Sequence, residues 1–240
     1  VSQVVVVPAP TITSQPPSSS VCEGGTPTLL TVAFTNGTGT PTYQWYSNTS
    51  NSNSGGTAIS GATNNSFAPP SNTVGTTYYY VVLTFSEGGC TEITSNPAEV
   101  IINPLPTATM VGDTSLCLNS PQPVVTFQGS NGVPSFVFTY TLNGGAPLTL
   151  TSASGTGTLT VPTNIAGDFT YQLLSVQEGS SNMCTSLIGT NVLVRVWALP
   201  NVSAGADYPI CDGDQTTLSG QGASTYVWDN GVTNGVPFQP

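Results

Sequence analysis

Five cysteines mark out a repeating module in this chain of 240 residues. Cys22, Cys117 and Cys211 follow one another at intervals of 95 and 94 residues, and Cys184 lies 94 residues after Cys90. Two interleaved series with the same period indicate one unit that is copied in tandem. A chain of this kind is expected to fold as a row of small domains, each with a hydrophobic core of its own.

Short proline-containing hinges separate the copies, at residues 7–10, 103–106 and 198–200. A run rich in β-branched residues precedes each hinge, as expected of the last strand of a domain. The predicted segments are the last strand of a preceding domain (1–8), two complete domains (9–104 and 105–199) and the N-terminal part of a further domain (200–240). Because proline stiffens a linker, the hinges favour a semi-rigid, head-to-tail array.

Alternation of apolar and polar residues predicts β-strands along the chain. The clearest segments are 28–34, 42–46, 77–85 and 135–142. In the last of these, one face carries four apolar side chains, namely Phe136, Phe138, Tyr140 and Leu142. Since no segment shows a convincing helical period, many short strands at regular spacing predict an all-β fold of sandwich domains.

Two Asn-Gly dipeptides predict tight hairpin turns. Asn143-Gly144 lies between the strand at 135–142 and residues 147–150, and Asn230-Gly231 follows an apolar segment at 226–228. Asparagine and glycine both tolerate the positive φ angles that such turns require.

The scarcity of charged residues, and of cations above all, limits the kinds of partner that the protein is expected to bind. Only 5% of the residues are charged, and Arg195 is the single cation beside eleven carboxylates, with no histidine. Nucleic acids and anionic membrane surfaces are recognised by lysine and arginine, so neither is expected as a partner. No stretch is long and apolar enough to span a membrane as a helix.

Catalytic and metal-binding patterns are sparse. Without histidine or lysine, acid–base chemistry would fall to carboxylates, and no carboxylate pair recurs between the repeats. We therefore expect a protein that is not an enzyme and needs no cofactor. Asp207, Asp212 and Asp214 are a weak candidate for a Ca²⁺ site, because the spacing is not that of an EF-hand and the other repeats lack the cluster.

Three segments of the first repeat resemble an immunoglobulin domain: Val21-Cys22-Glu23-Gly24, Tyr43-Gln44-Trp45-Tyr46, and the strand at 75–80. The resemblance implies that Trp45 is the core tryptophan of strand C and that Tyr78, near the tyrosine corner of strand F, is also a core residue. Tyr140 follows Cys117 by 23 residues, as Trp45 follows Cys22, and so takes its place in the second repeat, while Trp228 follows Cys211 by 17 residues and is its counterpart in a shorter version. Tyr46 and Tyr79 are candidates for exposed aromatic side chains.

The last repeat, with Ile210-Cys211-Asp212-Gly213-Asp214 and then Tyr226-Val227-Trp228, resembles the Ig-like and PKD-like repeats of giant secreted surface proteins of gliding Bacteroidota. The resemblance implies an extracellular, cell-surface adhesin or filament exported by type IX secretion. A carbohydrate- or protein-binding module and a spacer of a secreted enzyme are the alternatives. The expected partners are neighbouring repeats, other copies that complete the ends of the chain by strand addition, or a surface glycan or protein.

The immunoglobulin resemblance also bears on the disulfides. Pairing within a unit would give Cys22–Cys90 and Cys117–Cys184. In such a domain Cys22 would lie just before strand B and Cys90 just after strand F, at opposite ends of the sandwich, too far apart for a bond. Pairing between consecutive domains, Cys22–Cys184, is therefore favoured. Cys117 would then pair with a cysteine of the following unit and Cys90 with one of the preceding unit, while free thiols remain a third possibility.

Overall fold

The computed structural model describes residues 7–86 and 92–240, and strands are its main regular structure. Cys90 and most of the strand expected at residues 1–8 lie outside the described residues. The strands of the first half are β1 (Thr11–Ser14), β2 (Ser19–Cys22), β3 (Leu30–Thr31), β4 (Ala33–Thr35), β5 (Thr42–Asn48), β6 (Thr57–Ala58), β7 (Ser66–Phe67), β8 (Gly75–Thr84), β9 (Glu92–Thr94) and β10 (Ala98–Asn103).

Eight further strands follow. They are β11 (Thr107–Val111), β12 (Thr114–Cys117), β13 (Val124–Ser130), β14 (Phe136–Leu142), β15 (Leu148–Ser152), β16 (Thr156–Thr160), β17 (Gly167–Glu178) and β18 (Thr185–Trp197). Strands β1–β10 pair only with one another, and so do β11–β18. We call these two sets the first sandwich and the second sandwich.

Both sandwiches place two layers of strands around a core. In the second, a sheet in the order β12-β18-β17-β14-β15 faces a sheet in the order β11-β13-β16. In the first, the larger sheet has the order β2-β10-β8-β5-β6 with β9 added beside β8, and the facing layer consists of the pairs β1-β4 and β3-β7. The all-β sandwich fold expected from the sequence is thus observed.

In each sandwich, one pairing differs in direction from the rest. Strand β2 runs parallel to β10, with Cys22 opposite Asn103, and β12 runs parallel to β18, with Cys117 opposite Trp197. All other strand pairs are antiparallel. Each cysteine-bearing strand therefore lies along the edge of the larger sheet and ends where the last strand of its sandwich ends.

The two cores are separate and rich in aromatic side chains. Trp45 in β5 is fully buried, and its indole Nε1 donates to the carbonyl of Asn64 at 2.9 Å, so the buried N–H is satisfied. Tyr140, at the matching place in β14, is also buried and packs against Phe127. These positions agree with the alternation that the sequence shows in both strands.

Tyr78 does not lie in the core, contrary to the sequence interpretation. It is half-buried, and its hydroxyl donates to Glu99 Oε1 at 2.9 Å. Tyr79 joins the core instead and is 6% exposed, so the expectation of an exposed Tyr79 is also wrong. Because neighbouring residues of a strand point to opposite faces, a register difference of one residue decides which tyrosine joins the core between the layers.

Residues 198–240 form no strand. Two isolated bridges, Ser203 with Gln221 and Thr216 with Phe238, and one 3₁₀ turn (Asp229–Gly231) are their only regular elements. Trp228 is half-buried rather than part of a sandwich core, and its Nε1 donates to Asn234 Oδ1 at 3.1 Å. A strand is stable only beside a partner strand, and here the apolar segment at 226–228 has none.

The two Asn-Gly dipeptides have different outcomes. Asn143 and Gly144 adopt φ angles of 52° and 70°, and they lie in the connection between the antiparallel strands β14 and β15, as expected. Asn230 and Gly231 also adopt positive φ angles, but they belong to the 3₁₀ turn and no hairpin follows. Both dipeptides thus adopt the positive φ angles of a tight turn, but only Asn143-Gly144 lies between two paired strands.

We expect Trp45→Ala to lower the free energy of unfolding of the first sandwich by about 3–5 kcal/mol, because it leaves a large cavity in a closed core. Differential scanning calorimetry would measure the loss. Trp197→Ala is the matched control, since this indole is 54% exposed and its removal leaves no cavity. Equal effects of the two substitutions would contradict the burial of Trp45.

Candidate functional site

A disulfide joins the two sandwiches. Cys22 is the last residue of β2 and Cys184 directly precedes β18, and their Cα atoms lie 5.6 Å apart although 162 residues separate them in sequence. Because each sulfur forms one such bond, the within-unit pairings Cys22–Cys90 and Cys117–Cys184 are not formed. The bond is the one between consecutive domains that the sequence favoured.

The geometry of the second sandwich explains why its two cysteines, Cys117 and Cys184, do not bond to each other. Cys117 lies opposite Trp197, at the end of β18, whereas Cys184 precedes Thr185, at the start of the same strand. This strand has 13 residues and spans roughly 40 Å at 3.3 Å per residue. A disulfide requires Cα atoms within about 7 Å, so the two ends of the sandwich cannot be bridged. One detail differs from expectation: Cys22 ends a separate strand, β2, rather than preceding strand B directly.

One side-chain hydrogen bond accompanies the disulfide across the contact. Asn182 Nδ2, in the second sandwich, donates to Ser20 Oγ in the first at 2.7 Å. The same oxygen accepts from Asn103 Nδ2 at 2.9 Å, and Asn103 also donates to the carbonyl of Val21 at 3.1 Å. The Ser20 hydroxyl is therefore positioned by a hydrogen bond within its own sandwich as well as by the one to Asn182.

Cys184 is carried by a loop, residues 179–184, that we call the cysteine loop. At its base lies Glu178, the last residue of β17, whose side chain is only 4% exposed. Glu178 Oε2 accepts from the backbone N–H of Ser180 at 2.8 Å and of Val133 at 3.1 Å. Oε1 accepts from the N–H of Cys184 at 3.0 Å and from the Ser180 hydroxyl.

These contacts keep Glu178 ionised. Burial on its own would raise the pKa of the carboxyl, but the hydrogen bonds from Ser180, Cys184 and Val133 favour the charged form, and together they lower the pKa below its ordinary value. No cation takes part. The single cation of the chain, Arg195, instead forms a bidentate ion pair with Asp168, with both N–O distances 2.7 Å, and this pair lowers the pKa of Asp168.

Sequence reasoning did not single out Glu178. The available signal is a Glu-Gly dipeptide that precedes the second cysteine of each complete repeat, Glu87-Gly88 before Cys90 and Glu178-Gly179 before Cys184. An acidic residue repeated in a chain with few charges indicates a role for that carboxylate, although its burial cannot be read from the dipeptide.

Among the described residues, Cys117 and Cys211 form no disulfide, and both are exposed. Cys117 ends β12 as Cys22 ends β2, so it occupies the same place in the second sandwich. Beside it lies Trp197, which is 54% exposed and has the Arg195 guanidinium 5.1 Å from its ring centroid. The end of the second sandwich thus carries an accessible thiol next to an exposed indole.

The remaining candidate sites are not assembled. Asp207, Asp212 and Asp214 are all exposed, and within residues 7–86 and 92–240 no three His, Cys, Asp or Glu side chains are placed together to hold a metal. Likewise, this part of the chain contains no helix that could cross a membrane.

The tyrosines of the first sandwich pack against other groups of the domain and do not present an open aromatic face to solvent. Tyr80 is 3% exposed, its hydroxyl accepts from the Gly56 N–H at 3.1 Å, and Tyr46 stacks on its ring with centroids 5.1 Å apart. Tyr46 is half-buried as a result. A side chain at Gly56 would collide with Tyr80, so the loop covers the ring closely.

One known domain family matches part of the chain. The family described as "Domain of unknown function (DUF8696)" matches residues 11–104, which is less than half of the chain. No curated protein matches the sequence.

Solved structures with a similar fold contain immunoglobulin-like and fibronectin-III-like domains. A marsupial T cell receptor is similar with a TM-score of 0.50 at 13% identity, over 87% of this chain and 77% of the receptor chain. The fibronectin(III)-like modules of Clostridium thermocellum CbhA give a TM-score of 0.33 at 16% identity, over 79% and 94% of the two chains. At 13% identity the likeness to the receptor shows the fold alone, an Ig-like β-sandwich.

We expect iodoacetamide to label Cys117 and Cys211 in the native protein but to label Cys22 and Cys184 only after reduction, because alkylation needs an accessible thiolate. Mass spectrometry of peptic peptides would measure the labelling, since trypsin has only Arg195 to cleave at. Labelling of Cys22 without reductant would contradict the disulfide.

We also expect Glu178 to make stability depend on pH. A carboxyl whose pKa is lower in the folded state stabilises that state above its ordinary pKa of 4.5, and this contribution is lost as the pH falls below that value. Glu178→Gln should therefore lower the Tm most near neutral pH, and the gap to the wild type should close in acid. Thermal unfolding followed by circular dichroism at several pH values would test this; a gap that stays constant with pH would contradict it.

Proposed function

We propose that this chain is a structural or adhesive repeat segment of an extracellular bacterial surface filament or adhesin, whose Ig-like domains are fixed to one another by disulfides. The observation that carries the proposal is the Cys22–Cys184 bond, which links two domains instead of stabilising one. Such a bond adds nothing to the core of either sandwich, and its effect is on how the domains are held together.

The disulfide acts together with the hinge. Pro104 and Pro106 flank Leu105 between β10 and β11, so the polypeptide link is short and stiff. A second covalent link, at Cys22 and Cys184, closes a ring through the two domains and removes hinge motions that a single linker would permit. A row of domains joined twice at each contact transmits tension and keeps its direction, which suits a filament.

The same connection can repeat along an array. Because Cys117 occupies the place of Cys22, we propose that it bonds to the cysteine loop of a following unit, which would also cover the exposed side chains of Trp197 and Leu199. Cys211 would form the corresponding disulfide at the next contact between domains, and Cys90 would form one at a preceding contact. When the labelling described above is applied to a chain extended by the following unit, Cys117 should be protected, and continued labelling would contradict this step.

The composition supports an exposed, oxidising location. Disulfides persist mainly outside the cytosol, and a chain with one arginine and no lysine offers a trypsin-like protease a single site. Export by type IX secretion in a gliding member of the Bacteroidota is the setting that we propose for it. Its partners would be neighbouring repeats or other copies of the chain, with a surface glycan or protein bound elsewhere on the filament.

A ligand-binding module is the principal alternative, and the tyrosines give it little support. A sugar platform needs an aromatic face open to solvent, whereas Tyr79 and Tyr80 are buried and Tyr46 stacks on Tyr80. We therefore prefer the structural role, without catalysis, for the domains described.

We expect small-angle X-ray scattering of the oxidised chain to fit one arrangement of the two sandwiches, and Cys22→Ser/Cys184→Ser to require a broad ensemble, because the proline hinge is then the only covalent link between them. The matched control is Cys117→Ser/Cys211→Ser, which also removes two cysteines but keeps the disulfide. Scattering that is the same for the wild type and both variants would show that the bond does not fix the hinge.

A further inference from the structure

The cysteine loop is built from its own sandwich. Glu178 contacts it from two directions, since its carboxylate accepts from the N–H of Cys184 and its own N–H donates to the Cys184 carbonyl at 3.0 Å. The carboxylate also accepts from the N–H and the hydroxyl of Ser180, at the start of the loop. Both ends of the loop are thus attached to a single side chain.

Two glycines make room for this arrangement. A side chain at Gly132 would meet Glu178 Cβ at 2.6 Å, and one at Gly179 would meet the backbone of Ser135 at 2.5 Å. The Gly179 N–H donates to the carbonyl of Val133 at 2.8 Å, which fixes the loop against the chain segment before β14. The close approach of the two segments therefore depends on residues without a Cβ.

None of the groups that bond to Glu178 belongs to the first sandwich. Val133, Ser180 and Cys184 all lie in the second, and within the loop Asn182 alone donates a side-chain hydrogen bond across the contact, to Ser20. The loop can therefore take its final conformation before the two domains meet. A thiol that is already held in the bonding position loses less freedom when the disulfide closes.

We infer that Glu178 is a positioning residue for the disulfide between the domains: its buried carboxylate shapes the cysteine loop in advance, so that Cys184 is presented to Cys22. This inference rests on the proposed structural function and deepens it. Glu178 does not touch either sulfur in this role, and it acts through the backbone of Cys184 and Ser180.

The test is the equilibrium between the reduced full-length chain and oxidised glutathione. The two protein thiols are oxidised to the Cys22–Cys184 disulfide, one glutathione disulfide is reduced to two glutathione thiols, and the two thiol protons pass to the glutathione. Cys90→Ser/Cys117→Ser/Cys211→Ser serves as the background, so that Cys22 and Cys184 are the two cysteines that remain. Quenching with acid, alkylation and mass spectrometry give the fraction oxidised at each glutathione ratio.

In that background we expect Glu178→Gln to lower the equilibrium constant for disulfide formation by about tenfold or more, because hydrogen bonds to a buried charge are lost. Ser180→Ala, which removes one donor and keeps the carboxylate, should give a smaller decrease. The matched control is Asp168→Asn, which neutralises another paired carboxylate of β17, at the far end of the strand, and should leave the equilibrium unchanged.

A structural role alone would give a different result. If Glu178→Gln lowered the Tm of the reduced protein but left the equilibrium constant at the wild-type value, Glu178 would stabilise its sandwich without positioning Cys184, and the inference would be overturned. If the wild-type background itself formed no Cys22–Cys184 bond, the proposed function would fail instead. Should Glu178→Gln not fold, an unchanged equilibrium for Ser180→Ala would still count against the inference.

Discussion

A disulfide reaches only about 7 Å between Cα atoms, and this short reach decides how the two halves of the molecule are connected. Parallel pairing of β12 with β18 puts Cys117 at one end of the second sandwich, while Cys184 lies at the other. These two cysteines therefore cannot bond to each other. A cysteine at the end of one domain meets the cysteine at the start of the last strand of the next, as Cys22 meets Cys184.

This constraint explains why the sequence predicted the connection between the domains better than it predicted their details. The interdomain pairing followed from the repeat period and from the strand directions that the immunoglobulin resemblance implies. Strand β2 was missed, since its four residues, Ser19–Cys22, are too few and too polar for an alternation to be recognised. Only its pairing with β10 makes it a strand, and that contact is distant in sequence.

Faces and burial were harder to predict than strands. Three consecutive tyrosines allow two registers, and the sequence interpretation chose Tyr78 where the structure buries Tyr79. Trp228 lies in an apolar segment that resembles a strand, yet residues 198–240 provide no neighbouring strand. Glu178 shows the same limit, because its donors come from Val133, Ser180 and Cys184, and no local pattern brings them together.

The shortage of cations determines how the buried charge of Glu178 is compensated. A buried carboxylate needs compensation, and an ion pair is the common solution, but the single cation, Arg195, is already paired with Asp168 at the surface. Most of the compensation comes instead from backbone N–H groups, whose positions are set by the conformation of the chain. These donors converge only when the cysteine loop is fully formed, so a partly formed loop would leave the charge buried and unsatisfied. The charge thereby favours one loop conformation over intermediate ones, and that conformation is the one that brings Cys184 to Cys22.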